Sequence, residues 1–119
     1  MGTSDDLEAW YNQALALSHA AFDQRHYAVA FHAIAAALHC ASDLGDDARL
    51  VEVGEIVREQ AMWLDDHAPD DPLSAQSAAL RGNSSLWASL EREVETRRRM
   101  LEQRRLIRQR TRADGQAGA

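Results

Sequence analysis

The sequence predicts an all-α fold, and three features of its 119 residues carry the prediction. Residues 27–41 (YAVAFHAIAAALHCA) contain seven alanines, the residue with the highest helix propensity, and neither glycine nor proline. Elsewhere, apolar residues recur at steps of three and four, which is the period of an amphipathic helix. The β-branched and aromatic runs typical of strands are missing. We therefore expect antiparallel helical hairpins, four to five helices in all, around an alanine-rich central helix.

The first helix is predicted to begin at an N-cap, Thr3 or Ser4, because the acidic residues that follow favour the positive end of a helix. Its apolar stripe should contain Leu7, Trp10, Ala14, Leu17 and Ala21. We expect Trp10 to lie in the core, where a large ring fills the space beside small alanines. The polar residues 23–26 form a break short enough to return the chain antiparallel.

The second helix is predicted over residues 27–41. Its apolar stripe should contain Ala30, Ile34, Ala37 and Ala41. Over about residues 14–41 the chain resembles a tetratricopeptide repeat, on the spacing of Ser18, Tyr27, Ala30, Ile34 and Ala37. The resemblance implies a closely packed helical hairpin and a groove that receives a peptide or a helix, in a family that stacks at least three units. Arg25 and Ser42 stand where that family often has glycine and proline.

Two more helices are predicted in the middle of the chain. Gly45 is suited to end the second helix, and Asp46 or Asp47 to cap the third, which should cover residues 48–66. The buried face of the third helix should carry Leu50, Val53, Val57, Ala61 and Leu64. Two prolines in residues 65–72 end it. A short fourth helix should run from Leu73 or Ser74 to Arg81, with Ala75, Ala78, Ala79 and Leu80 facing inward.

The last helix is predicted from Leu86, with Ser84 or Ser85 as its N-cap, to about Gln109. Its apolar steps end at Leu101 and arginines follow, so we expect its end to project. Residues 1–95 form an acidic helical domain, with 17 acidic residues, five arginines and a net charge of −12. Residues 96–112 form an arginine-rich helical extension, and residues 113–119 are predicted to be a disordered tail. Together, residues 96–119 carry a net charge of +6.

Several classes of protein are disfavoured by the composition. A single cysteine, Cys40, gives no internal disulfide, the N-terminus lacks a signal-peptide pattern, and no stretch approaches the roughly 20 apolar residues of a membrane span. We therefore expect a cytoplasmic protein without membrane contact. The sequence has no phosphate-binding loop, nucleophile elbow or zinc motif, so we expect neither enzyme activity nor a cofactor.

Metal binding is one alternative function, because four of the five histidines fall between residues 19 and 39. His32 and His39 are seven residues apart and share one helical face. With His19 and a glutamate of the third helix, Glu55 or Glu59, they could form a histidine–carboxylate site of the kind found in helical bundles. The Glu-x-x-His pattern of such bundles is absent, so we assign no metal.

The eight arginines between residues 97 and 112 are the strongest compositional signal. They could bind nucleic-acid phosphates, but the acidic domain would repel a polyanion, and no aromatic residue among them offers a platform for base stacking. We expect instead a protein partner or a second copy of the chain, as a homodimer; the alternative is a basic helix that folds back along its own acidic domain. The residues predicted to bind this partner are Arg97, Arg98, Leu101, Arg104, Arg105 and Arg108. The predicted function is a non-enzymatic protein–protein interaction module, a small adaptor or assembly factor.

Overall fold

The computed structural model describes residues 3–117, which form five α-helices and, over that range, no strand. The helices are α1 (Ser4–Asp23), α2 (Tyr27–Leu44), α3 (Asp47–His67), α4 (Ala75–Leu80) and α5 (Leu86–Ala117). The all-α prediction is confirmed. The bounds follow local signals: the Thr3 side chain caps α1 in a capping box with Asp6, and the Asp46 carboxylate caps α3.

The first two helices form an antiparallel hairpin. Two neighbouring sides of α1 are apolar, and only one of them is buried. The buried residues of α1 are Tyr11, Ser18 and Ala21, whereas Trp10 and Leu17 are exposed. The predictions that Trp10 lies in the core and that Leu17 belongs to the buried stripe are therefore wrong. The Tyr11 ring is buried in its place because its hydroxyl finds partners inside, donating to the Arg49 carbonyl oxygen at 3.2 Å and to the Glu52 carboxylate.

The turn after α1 closes in a Schellman arrangement that puts Arg25 in the left-handed region, with φ of 65°. The Arg25 N–H donates to the Phe22 carbonyl at 2.9 Å, and the His26 N–H donates to the Ala21 carbonyl at 2.8 Å. The same pattern ends α2, where Gly45 has φ of 65°. Glycine adopts this conformation freely and arginine does not. A left-handed residue therefore stands where the tetratricopeptide family commonly has glycine.

The core is centred on α2. Its predicted stripe is confirmed, since Ala30, Ile34, Ala37 and Ala41 are all fully buried. Residues of α3 and α5 complete the cluster, among them Leu50, Val53, Val57, Leu64, Trp87, Leu90 and Val94. Close packing of α3 on α5 depends on Gly54, because a Cβ atom there would lie 3.3 Å from Val94 Cγ1. The alanine-rich helix is thus covered by α1 on one side and by α3 and α5 on another.

A buried chain of hydrogen bonds links four helices through Gln60, a residue that the sequence analysis did not single out. The Gln60 Nε2 atom donates to Ser18 Oγ at 3.0 Å, and the Trp87 Nε1 atom donates to Gln60 Oε1 at 3.0 Å. Ser18 Oγ donates in turn to the Ala30 carbonyl oxygen at 2.9 Å. All these polar atoms are satisfied, so the network fixes the register of α1, α2, α3 and α5.

The short helix α4 packs on α3 by one side only. Ser74 caps it, since its hydroxyl accepts from the Ser77 N–H at 3.0 Å. Ala78 is its one buried residue, whereas Leu80 is 84% exposed and Ala75 and Ala79 are exposed too. The prediction that all four face inward is wrong, because a helix of six residues has room for a single buried position against α3.

The last helix begins where Ser85 accepts the Ala88 N–H at 3.0 Å, which confirms the predicted break and cap. It continues to Ala117, beyond the predicted end near Gln109. Within the predicted disordered tail, residues 113–117 are helical, and residues 118 and 119 lie outside the described range. The longer helix follows from arginine, glutamine and alanine, which all favour helix. It makes the molecule elongated, with extents of 64 × 32 × 20 Å.

Candidate protein-binding surfaces

The second half of α5 stands clear of the rest of the molecule. Every side chain of residues 102–115 is exposed, and we call this segment the arm. Three of the six predicted partner-binding residues lie in it, namely Arg104, Arg105 and Arg108. The other three, Arg97, Arg98 and Leu101, precede the arm and contact the body of the protein.

Arg97 and Arg98 hold α5 against the turn between α2 and α3. Arg98 donates two hydrogen bonds to the Asp47 carboxylate, at 2.9 and 3.3 Å, and this pairing raises the pKa of the guanidinium. Arg97 bonds Glu93 at 2.8 Å and the Ser42 hydroxyl at 3.2 Å. Leu101 is half-buried beside Gly45. These contacts fix the point at which the arm leaves the body.

The side of α5 that is apolar in the body carries arginines in the arm. Leu90 and Val94 are buried on one side of the helix, and at helical spacing this side continues to Arg104, Arg105 and Arg108. Arg105 bonds the neighbouring Glu102 at 2.6 Å. Among the described residues, no acidic group lies within 4 Å of the Arg104 or Arg108 guanidinium. The arm therefore presents free positive charge in line with the core-facing side of α5.

Apolar side chains flank these arginines. Leu106 is 53% exposed and Ile107 is 64% exposed, and Met100 lies one heptad before Ile107 on the same side. Alternating charge and exposed aliphatic surface is typical of a helix that meets a protein rather than bulk water. A cleft of about 680 Å³ lies where the arm leaves the body, between Asp43 and Leu44 on one wall and Arg108 on the other.

A second groove, of about 340 Å³, lies at the opposite end of the body between α1 and α3. Its floor is aromatic: the Phe22 and Trp63 ring centroids are 5.5 Å apart, and Trp63 stacks on His67 at 4.8 Å. Charged groups rim it, among them Arg25 and Glu59. The left-handed turn after α1 therefore places the Arg25 side chain at the mouth of an aromatic groove.

The histidines are not brought together into a site. His19, His32 and His39 are exposed, as are Glu55 and Glu59. Across residues 3–117 no group of three or more histidine, cysteine, aspartate or glutamate side chains is arranged to hold a metal ion. His19 and Glu59 share the aromatic groove, but the remaining candidates do not line it. The geometry therefore lends no support to the metal alternative.

The pKa is raised for two titratable groups, the half-buried Cys40 thiol and the buried Tyr11 hydroxyl. Burial raises the pKa of the Cys40 thiol, and the nearby Asp43 carboxylate adds to the effect. Burial also raises the pKa of the Tyr11 hydroxyl, helped by its hydrogen bond to Glu52. A thiol with a raised pKa is a poor nucleophile, so Cys40 has the character of a small packing residue.

Comparison of the chain with protein-family models, with curated proteins and with solved structures finds no match. The resemblance of residues 14–41 to a tetratricopeptide unit therefore depends on residue spacing alone.

Proposed function

We propose that the protein is a non-enzymatic protein–protein interaction module, an adaptor or assembly factor that binds an acidic protein surface through its arm. One observation carries the proposal: the arm is a helical segment exposed on every side, with unpaired arginines beside exposed Leu106 and Ile107. Exposed apolar side chains rimmed by charged groups are a feature of protein-binding surfaces.

The charge distribution supports an acidic protein as the partner. The domain of residues 1–95 carries −12, so a second copy of the chain offers such a surface itself, and a homodimer is the simplest assembly. The same acidic domain opposes a nucleic-acid polyanion. Between residues 97 and 115 there is also no aromatic side chain on which a base could stack.

A receiving groove completes the proposal. The resemblance to a tetratricopeptide unit implies a helix- or peptide-binding groove between hairpins, and the cleft between α1 and α3 is our candidate for it. Its Phe22 and Trp63 rings suit an aliphatic side chain, and Glu59 suits an arginine. We also propose a cytoplasmic location, since Cys40 is a free thiol.

The test uses the full chain with Arg104, Arg105 and Arg108 all changed to glutamate. Binding is measured to three immobilised probes: a second copy of the chain, polyglutamate and a single-stranded oligonucleotide. We expect the wild type to bind the copy and polyglutamate in a salt-sensitive manner. The triple variant should lose the binding to polyglutamate and the salt-sensitive part of the binding to the copy. Arg92→Glu, on the body part of the same helix, is the matched control and should bind as the wild type does.

Two results would contradict the proposal. The first is stronger retention on the oligonucleotide than on polyglutamate, which would assign the arm to nucleic acid. The second is equal binding by the triple variant and the wild type, which would show that the arm makes no contact with the partner.

A further inference from the structure

The central parts of α1 and α2 carry no carboxylate or guanidinium group, although the protein is strongly charged. Residues 9–22 and 27–42 contain no aspartate, glutamate or arginine, although these residue types make up 27% of the chain. The carboxylates of the acidic domain, whose net charge is −12, thus all lie outside these two segments. Burial in the core explains only the sides of these helices that face each other and α3.

The remaining sides carry exposed apolar residues beside the exposed His19, His32 and His39. Trp10 and Leu17 are seven residues apart on one side of α1, and they are 49% and 53% exposed. On α2, Val29 is 48% exposed, and Ala36 follows it on the same side at seven residues. We call these four residues the outer hairpin face.

This face points away from the rest of the body. Tyr11, which contacts α3, is about 100° around α1 from Trp10, and the buried Ile34 is about 140° around α2 from Val29. The hydrogen bond from Ser18 to Ala30 sets the two helices side by side in antiparallel register. Leu17 and Val29 adjoin this pair in sequence, so they lie at nearly the same level of the hairpin.

The composition of α2 strengthens the observation. By length and apolar content alone this helix of 18 residues could cross a membrane, contrary to the expectation from sequence, although a core helix can pass the same test. Only 39% of its residues are buried within the molecule. The exposed apolar residues of α2 are therefore a candidate contact surface.

We propose that the outer hairpin face packs against the same face of a second copy, forming a two-fold symmetric arrangement of four helices. The charge distribution is our reason for naming a second copy as the partner. Two bodies of net charge −12 repel each other, and the hairpin is the surface on which they can meet without opposing carboxylates. An apolar face is also complementary to itself, and a two-fold contact closes without leaving a free end. The arm takes no part in this contact, so the inference is independent of the function proposed for it.

The size of the face sets the strength of the contact. Two helices about 10 Å apart and about 24 Å long present a projected area on the order of 500 Å² per copy. This lies below the roughly 800 Å² per partner of a standard interface. We therefore expect a dimer that dissociates on dilution rather than an obligate one, which also agrees with a body that folds around its own core.

Sedimentation velocity of the full chain over a dilution series tests the proposal. The variants are Leu17→Glu and Val29→Glu, both at exposed positions, so circular dichroism should show an unchanged helical content. Each places a carboxylate in an apolar contact, and we expect each to raise the dimer dissociation constant at least about tenfold. The control is Leu80→Glu, an exposed leucine outside the face, which should dimerise as the wild type does.

Three results would overturn the inference. One is a wild type that stays monomeric at every concentration; if it also floats with neutral phosphatidylcholine vesicles, the face is assigned to a bilayer. Another is a dimer that persists unchanged in both glutamate variants. The third is a dimer lost only when Arg104, Arg105 and Arg108 are reversed, which would support the arm contact and exclude the hairpin contact.

Discussion

Replacement of Gln60 by leucine should destabilise the fold, because it leaves the buried Trp87 N–H without a hydrogen-bond acceptor. Leucine is close to glutamine in volume, so the change leaves little cavity, but it removes the acceptor that Trp87 Nε1 reaches at 3.0 Å. Ser18 keeps its own bond to the Ala30 carbonyl oxygen and is not orphaned. A buried donor without a partner costs about 1–3 kcal/mol, and the removed amide offsets part of this. We expect Gln60→Leu to lower the free energy of unfolding by about 1–2 kcal/mol.

Urea denaturation followed by far-ultraviolet circular dichroism measures this difference, with Gln76→Leu as the matched change at an exposed position. A double-mutant cycle isolates the cause. With Trp87→Phe as the background there is no indole N–H to orphan, so Gln60→Leu should cost less there than in the wild type. The reasoning is refuted if Gln60→Leu stays within about 0.5 kcal/mol of the wild type, or if its cost is the same in both backgrounds.

Three further predictions concern the turns, a cap and a buried hydroxyl. Arg25→Gly should raise the free energy of unfolding by about 0.5–1 kcal/mol, because glycine adopts the left-handed backbone without strain and this gain exceeds the added entropy of the unfolded chain. Gly45→Ala should lower the free energy of unfolding by about 1 kcal/mol for the opposite reason. A urea titration in which Arg25→Gly is less stable than the wild type would contradict this. Ser85→Ala should lower thermal stability through loss of a cap of about 1 kcal/mol, whereas Ser84→Ala should not, and equal losses would refute the cap assignment. Because the folded state raises the pKa of Tyr11 above its ordinary value of 10.0, the wild type should lose stability as pH rises past 10.0, more steeply than Tyr11→Phe; parallel pH profiles would disprove the linkage.

Most helix bounds could be read from the sequence because they follow local chemistry, but α5 ends at Ala117 and not near Gln109 as predicted. Capping side chains, Gly45 and the two prolines act within a few residues of the bond they make or prevent. The buried face of α3 was also predictable, since its apolar residues form one stripe opposite glutamates. In α1, by contrast, stripes containing Trp10 and Tyr11 are both apolar, and hydrophobicity alone does not choose between them.

The rest depends on partners far apart in the chain. Nothing near Gln60 indicates that its amide is buried, because Ser18 is 42 residues away and Trp87 is 27 residues away. The candidate surfaces divide in the same way. Charge along the chain predicted the basic helix, but its contact with Asp47 through Arg98 required the tertiary structure. The outer hairpin face emerged only once the inward sides of α1 and α2 were known.

The arm meets the body of the protein at Leu101. Its backbone continues from a helix that is already formed, so it needs no nucleation of its own, yet among the described residues no side-chain packing protects it. Amide hydrogen exchange should therefore quicken from Leu101 towards Arg112, with increasing distance from the packed body. A partner that binds near Leu101 would contact backbone that is already ordered. A partner that binds near Arg112 would have to order the helix first, and the entropy cost of this ordering would lower its affinity.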